Sequence, residues 1–185
     1  MDQSGIDIQA DVARAKVLSQ FRWSGGHADV WRLFNTTESF SAIVEGLAEP
    51  WRDAGITHVL GIESRGFLLG GAVAISLGAG FQAVRKEEGL LPGPKVTVRS
   101  APDYRGRDHL LRMQTTLTSK DVVLLVDDWA ERGSQAFAAR ELVEMCGARF
   151  AGASILVDQL NEEARSKIGR VTSLVFAREL GDPDA

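Results

Sequence analysis

The chain has 185 residues, of which 44% are hydrophobic and 25% charged, and these proportions are typical of one soluble globular domain. With 21 basic and 25 acidic side chains the net charge is −4, which argues against a nucleic-acid-binding surface. The single cysteine, Cys146, excludes an internal disulfide, and no apolar run of about 18 residues predicts a membrane span. Because the N-terminus lacks a signal-peptide pattern, we expect a cytoplasmic protein without membrane or nucleic-acid partners.

Helical spacing dominates the N-terminal part of the chain. Apolar residues in segment 8–20 follow a helical period, which the glycine-rich segment 23–27 interrupts. A second amphipathic helix is predicted over 40–51, and Thr36 or Thr37 before it is a natural N-cap.

Short apolar runs alternate with helical segments in the rest of the chain. The predicted strands are 58–62, 81–85, 96–99, 110–113, 122–126, 150–157 and 171–176, and the predicted helices are 67–77, 134–146 and 161–167. This alternation indicates an α/β fold with a mainly parallel twisted sheet flanked by helices. We expect a single domain, with an N-terminal helix and hood loop over 1–35 and an α/β core over 36–180.

Three predicted loops lie outside the C-terminal ends of strands, where ligands gather in such a sheet. They comprise residues 63–66, 86–95 and 127–134. In the third loop a buried strand delivers Asp127 and Asp128 to its exposed end, and a glycine-containing segment leads into a helix. Since the start of a helix attracts phosphate, a ribose phosphate would fit between the helix and the two carboxylates. The alternative is that Asp128 caps the helix and Asp127 is solvated.

The segment 122–135 resembles the phosphoribosyl-diphosphate motif of type I phosphoribosyltransferases, which consists of a hydrophobic strand, two acidic residues and a small phosphate loop. Segments 61–70, 84–86 and 91–94 are similar to the adenine branch of that family, and the resemblance extends over about 26–157. It implies an enzyme that transfers the 5-phosphoribosyl group from phosphoribosyl diphosphate to adenine or a similar nitrogenous base in purine salvage. Diphosphate would leave together with Mg²⁺, and the enzyme would be a homodimer.

The resemblance also implies a role for each matching residue. Asp127 and Asp128 would bind the ribose hydroxyls, and the remaining positions would bind the 5′-phosphate (Glu131, Arg132, Gly133, Ser134, Gln135), the diphosphate (Ser64, Arg65, Arg85, Lys86) and the base (Val126, Trp129, His27). Other interpretations remain open, with surface salt bridges for the two diphosphate-binding arginines, a core position for Trp129 and an ordinary surface position for His27.

The chain departs from the adenine enzymes in its phosphate loop and in its hood. Arg132, Ser134 and Gln135 replace a threonine, a glycine and a threonine, and segment 104–108 lacks the glutamate that the family carries near a tyrosine. Glu131 stands where hypoxanthine-guanine enzymes have a carboxylate that handles the base proton. We therefore predict that Glu131 is the general base; the alternative is that it pairs with a neighbouring arginine.

Two other functions are compatible with the same motifs. One is an enzyme that uses the same donor with an unusual acceptor in specialised metabolism. The other is a non-catalytic regulator that binds phosphoribosyl diphosphate or a nucleotide.

Overall fold

The computed structural model describes residues 3–87, 89–101 and 108–182, with side chains from residue 9 onward. The helices are α1 (Gln3–Gln20), α2 (Thr37–Ala48), α3 (Arg65–Leu77), α4 (Ser134–Met145) and α5 (Glu162–Ile168). The strands are β1 (Trp23–Ser24), β2 (His27–Ala28), β3 (His58–Ile62), β4 (Gly80–Lys86), β5 (Lys95–Arg99), β6 (Leu110–Gln114), β7 (Val122–Ala130), β8 (Arg149–Asp158) and β9 (Val171–Phe176). Short 3-10 turns lie at Trp31–Phe34, Glu49–Trp51 and Ala177–Glu179.

Seven strands form one sheet in the order β5-β6-β4-β3-β7-β8-β9, and β1 and β2 form a separate hairpin. The five strands from β4 to β9 in this order are parallel, whereas β6 is antiparallel to both of its neighbours. The predicted α/β fold with a mainly parallel sheet is therefore confirmed. After β3 the chain continues to β4 on one side of the central β3–β7 pair, and after β7 it continues to β8 on the other side of that pair. The strand order thus reverses between β3 and β7, and such a switch point opens a crevice at the C-terminal ends of the strands.

Strand β7 lies inside the sheet between β3 and β8 and is covered on both faces. Leu124 and Val126 belong to the apolar core beneath α1, α2 and α3, whereas Val123 and Leu125 belong to the core beneath α4. All four side chains are at most 1% exposed, so the apolar run in the sequence correctly predicted a strand buried on both sides.

Several boundaries differ from those that the sequence predicted. Strand β7 continues to Ala130 because it stays paired with β8, so Asp127 and Asp128 lie within the strand and not in a loop. The N-cap of α4 is Gly133, and the interpretation of Asp128 as a helix cap is therefore wrong.

The helix predicted over 40–51 also has different limits. It begins at Thr37, where the Thr36 side chain accepts a hydrogen bond of 3.2 Å from the backbone N–H of Ser39, and this confirms the predicted cap. It ends at Ala48 and continues as a 3-10 turn, because Pro50 has no N–H to donate to the helix.

Candidate active site

A cavity of about 560 Å³ opens at the C-terminal ends of β4, β3, β7 and β8. Its walls come from the β1–β2 hairpin, from Glu63–Arg65 after β3, from Lys86 at the end of β4, and from the continuous segment Asp127–Ala136. The cavity thus lies at the predicted edge of the sheet, and all three predicted loops contribute to it. Segment 104–108, in which we sought the hood glutamate, lies outside the described residues except for Asp108.

Asp127 lies deep in this cavity, against the first turn of α3. Its Oδ1 atom accepts a hydrogen bond of 3.0 Å from the backbone N–H of Asp128. A Cβ atom at Gly66 would lie 3.0 Å from the same oxygen, so the close approach of α3 to this carboxylate depends on a glycine. Burial and the neighbouring Asp128 carboxylate raise the pKa of Asp127 well above its usual value. Two adjacent carboxylates that repel each other are an arrangement typical of functional sites.

Asp128 is in ionic contact with Arg65. The Arg65 Nε atom lies 2.9 Å from Asp128 Oδ2, and the side chain of Asp128 is only 8% exposed. The contact lacks hydrogen-bond alignment, and Oδ2 is buried without a hydrogen-bond partner among the described residues. Arg65 balances the charge of this buried oxygen, while Asp128 as a residue still lines the cavity.

The loop between β7 and α4 provides the features of a phosphate site. Gly133 adopts φ 75° as the N-cap of α4, a left-handed conformation that favours glycine. The first N–H groups of the twelve-residue helix α4 have no partner within the helix, and its first turn contains no acidic residue. Glu131, Arg132, Ser134 and Gln135 all line the cavity beside these groups. The loop therefore presents both backbone donors and an arginine to an anion.

Ser64, Arg65 and Lys86 line the cavity on the other side of the carboxylates. Ser64 is the N-cap residue of α3, but its side chain makes no capping hydrogen bond. The structure therefore brings together three of the four residues that we expected to bind diphosphate.

Arg85, the fourth of these residues, does not line the cavity. Its Nε atom donates to Glu63 Oε2 at 2.8 Å, and its Nη1 atom donates to the carbonyl of Leu90 at 3.2 Å. Glu63 also accepts a hydrogen bond of 2.9 Å from the backbone N–H of Lys86. Desolvation opposes the ionisation of Glu63, but the donors from Lys86 and Arg85 outweigh it and lower the pKa of Glu63. Glu63 thus fixes the cationic wall of the cavity, a role that the sequence analysis missed although the residue directly follows a predicted strand.

Aromatic side chains form the opposite end of the cavity, where a base would lie. Trp129, His27 and Trp23 line it, and the rings of Trp23 and Trp129 are 6.0 Å apart at an angle of 62°. Trp129 also packs against the main core, as its alternative interpretation expected, while its contact with a base stays a prediction. Val126, in contrast, is fully buried in the core and does not line the cavity.

Two other kinds of feature are absent from the described part of the chain. No group of three or more His, Cys, Asp or Glu side chains is placed to hold a metal ion. None of the described helices has the length and apolar character needed to cross a membrane.

Comparison with known proteins identifies the family. The model of the family described as "Phosphoribosyl transferase domain" matches residues 32–177, which is most of the chain. The chain belongs to this family. The type I phosphoribosyltransferase resemblance that we predicted from the motifs is therefore confirmed.

Relatives of known sequence and structure agree with this assignment. The chain is 44% identical over 121 residues to adenine phosphoribosyltransferase of Phocaeicola vulgatus, a match that covers 65% of this phosphoribosyltransferase and 68% of the relative. It is 40% identical over 147 residues to the enzyme of that name from Nocardioides sp., with 77% and 78% covered. The solved structure of APRTase from Giardia lamblia complexed with 9-deazaadenine superposes with a TM-score of 0.80 and 30% identity, with 88% of this chain and 97% of that chain covered.

Proposed function

We propose that this enzyme transfers the 5-phosphoribosyl group from phosphoribosyl diphosphate to adenine and releases diphosphate, as in purine salvage. The observation that carries the proposal is that one cavity contains Asp127, Asp128, the N-terminus of α4 and the cationic wall of Ser64, Arg65 and Lys86. These groups match the hydroxyls, the 5′-phosphate and the diphosphate of the donor in charge and in hydrogen-bonding character. Relatives named for the transfer to adenine, among them one that is 44% identical, support the choice of base.

The reaction breaks the bond between C1′ and the diphosphate oxygen and forms a bond between C1′ and a ring nitrogen of the base. As the C1′–O bond breaks, positive charge grows on the ribose and negative charge grows on the diphosphate. We assign Asp127 and Asp128 to the former charge and Arg65 and Lys86 to the latter, because all four residues line the cavity and carry the charge that each role requires. The base nitrogen loses its proton, and we assign the role of acceptor to Glu131, which lines the cavity next to the phosphate loop.

We further propose that Mg²⁺ enters with the donor, bound mainly by diphosphate oxygens. When bound, the ion would neutralise part of the charge that accumulates on the leaving group. Asp127 and Asp128, which line the same cavity, carry the hard carboxylate oxygens that this ion prefers. A homodimer in the cytoplasm is the setting that we propose for the enzyme.

The direct test is to incubate the protein with phosphoribosyl diphosphate, Mg²⁺ and a panel of bases and to measure the release of diphosphate. We expect release with adenine and little release without a base. If diphosphate is released with another base and not with adenine, the enzyme uses the same donor with an unusual acceptor. Tight binding of the donor without base-dependent release would contradict the proposal and indicate a regulator.

A further inference from the structure

The side chain of Gln159 is held in one orientation at the base end of the cavity. Gln159 directly follows β8 and lines the cavity next to Trp129. The Trp129 indole Nε1 atom lies 2.9 Å from Gln159 Oε1. An indole N–H can only donate, so the atom that faces it must be the carbonyl oxygen of the amide. The NH₂ group of Gln159 must therefore point away from Trp129.

The backbone at this position is also fixed. The N–H of Gln159 donates to the carbonyl of Ala130 at 2.8 Å, and the next residue, Leu160, donates its N–H to Asp158 Oδ1 at 2.8 Å. Asp158 is 1% exposed and pairs with Arg165, which fixes the start of the turn. The amide of Gln159 is thus positioned both by its own backbone and by the indole.

Gln159 is exposed in the open cavity, and no described residue accepts a hydrogen bond from its NH₂ group. Side-chain amide hydrogens usually find an acceptor in protein, water or ligand. From this we propose that Gln159 is a specificity-determining residue that donates a hydrogen bond to the base. It would accept only a base that presents an unprotonated ring nitrogen or a carbonyl oxygen at this point, because an amino group there would place two donors against each other.

This inference deepens the proposed function and rests on it. For adenine, the group that faces Gln159 would be one of the ring nitrogens other than the one that is joined to C1′. Trp129 has two roles in this arrangement, since it forms part of the wall for the base and also fixes the direction of the donor. Such a donor was not evident from the sequence, because Gln159 lies 24 positions after the end of the phosphate motif at Gln135.

The test compares KM values for adenine, 1-deazaadenine, 3-deazaadenine and 7-deazaadenine in the wild type and in two variants. Gln159→Met removes donor and acceptor at nearly constant length. Gln159→Glu keeps an acceptor for the Trp129 indole but has no donor. The exposed Gln9 on α1 provides a matched control, Gln9→Met, which should behave as the wild type. KM for the donor is measured in parallel, because a change confined to the base identifies a role in base selection.

We expect the wild type to show a KM about tenfold higher for one of the three analogues, the effect of losing one hydrogen bond. In both Gln159 variants KM for adenine should rise by about the same factor, and KM for the sensitive analogue should then be no higher than KM for adenine. The inference would be overturned if KM for adenine in Gln159→Glu equalled that of the wild type. It would also be overturned if KM for the sensitive analogue in Gln159→Met were still about tenfold higher than KM for adenine. If the wild type releases no diphosphate with any base, the proposed function itself fails and the inference fails with it.

Discussion

Replacing both Asp127 and Asp128 with asparagine should separate the role of these residues in function from their role in stability. A hydrogen bond to a charged acceptor contributes about 1.5–3 kcal/mol and a neutral one about 0.5–1.5 kcal/mol, so each substitution should weaken a ribose contact by about 1–1.5 kcal/mol. The double variant should therefore bind phosphoribosyl diphosphate with a Kd roughly 30- to 160-fold higher. Turnover should fall further, because the charge on the ribose is larger in the transition state.

The same double substitution should leave the fold intact. The raised pKa of Asp127 means that folding disfavours its ionised form, so at neutral pH, above its unfolded pKa, this carboxylate reduces stability. Asp127→Asn removes that cost, whereas Asp128→Asn weakens the contact between a carboxylate that is 8% exposed and an arginine that is 33% exposed. Because the two effects oppose each other, we expect a melting temperature close to that of the wild type.

Calorimetric titration with the donor and Mg²⁺, together with thermal unfolding, measures both effects. Asp53→Asn is a suitable control, because Asp53 is exposed and does not line the cavity. For the wild type, donor affinity should fall as the pH decreases through the raised pKa of Asp127. Unchanged donor affinity in the double variant would mean that these carboxylates do not bind the ribose, and unfolding of that variant would mean that they are required for the fold.

Other substitutions test the remaining assignments. Arg65→Ala should lower kcat/KM for the donor by about 10²- to 10³-fold while barely changing the affinity for adenosine monophosphate. If calorimetry shows an equal loss of affinity for the donor and for adenosine monophosphate, Arg65 does not act on the leaving group. Glu131→Gln should lower kcat by about 10²- to 10⁴-fold and remove the acidic limb of the pH–rate profile, whereas a change of only a few-fold with an unaltered profile would make Glu131 structural. A hydrogen bond from the Arg14 side chain and a weaker contribution from the backbone N–H of Phe176 lower the pKa of Glu179 to about 2. This pair stabilises the fold above the usual pKa of a glutamate and loses its effect as the pH falls towards 2. Arg14→Met should therefore reduce the free energy of unfolding at pH 7 by about 1 kcal/mol after solvent screening. Urea unfolding at pH 7 and at pH 2 should show this difference only at the higher pH.

The sequence predicted the architecture well because the sheet is defined by local apolar patterns. The run at 122–126 alone indicated a strand covered on both faces, and Leu124 and Leu125 indeed face opposite cores. The end of that strand could not be found in the same way. Asp127, Asp128 and Trp129 are polar or aromatic, and the strand remains extended through them to Ala130 because it pairs with β8, which is distant in sequence.

The candidate site was predictable where its residues follow one another in the chain. The segment from Asp127 to Gln135 lines the cavity without interruption. Contacts between distant segments were not predictable. Nothing in the sequence shows that Glu63 pairs with Arg85 and so draws its guanidinium away from the cavity, or that Gln159 meets the indole of Trp129.

We propose that this one cavity joins a ribose phosphate to adenine. The decisive experiment measures the amounts of adenosine monophosphate and of diphosphate formed from adenine, phosphoribosyl diphosphate and Mg²⁺ in the same reaction. We expect that the two products appear in equal amounts, that neither appears without adenine, and that the Asp127→Asn, Asp128→Asn double variant forms far less of both. Diphosphate release that is independent of the base, or donor binding with no nucleotide formed, would contradict it.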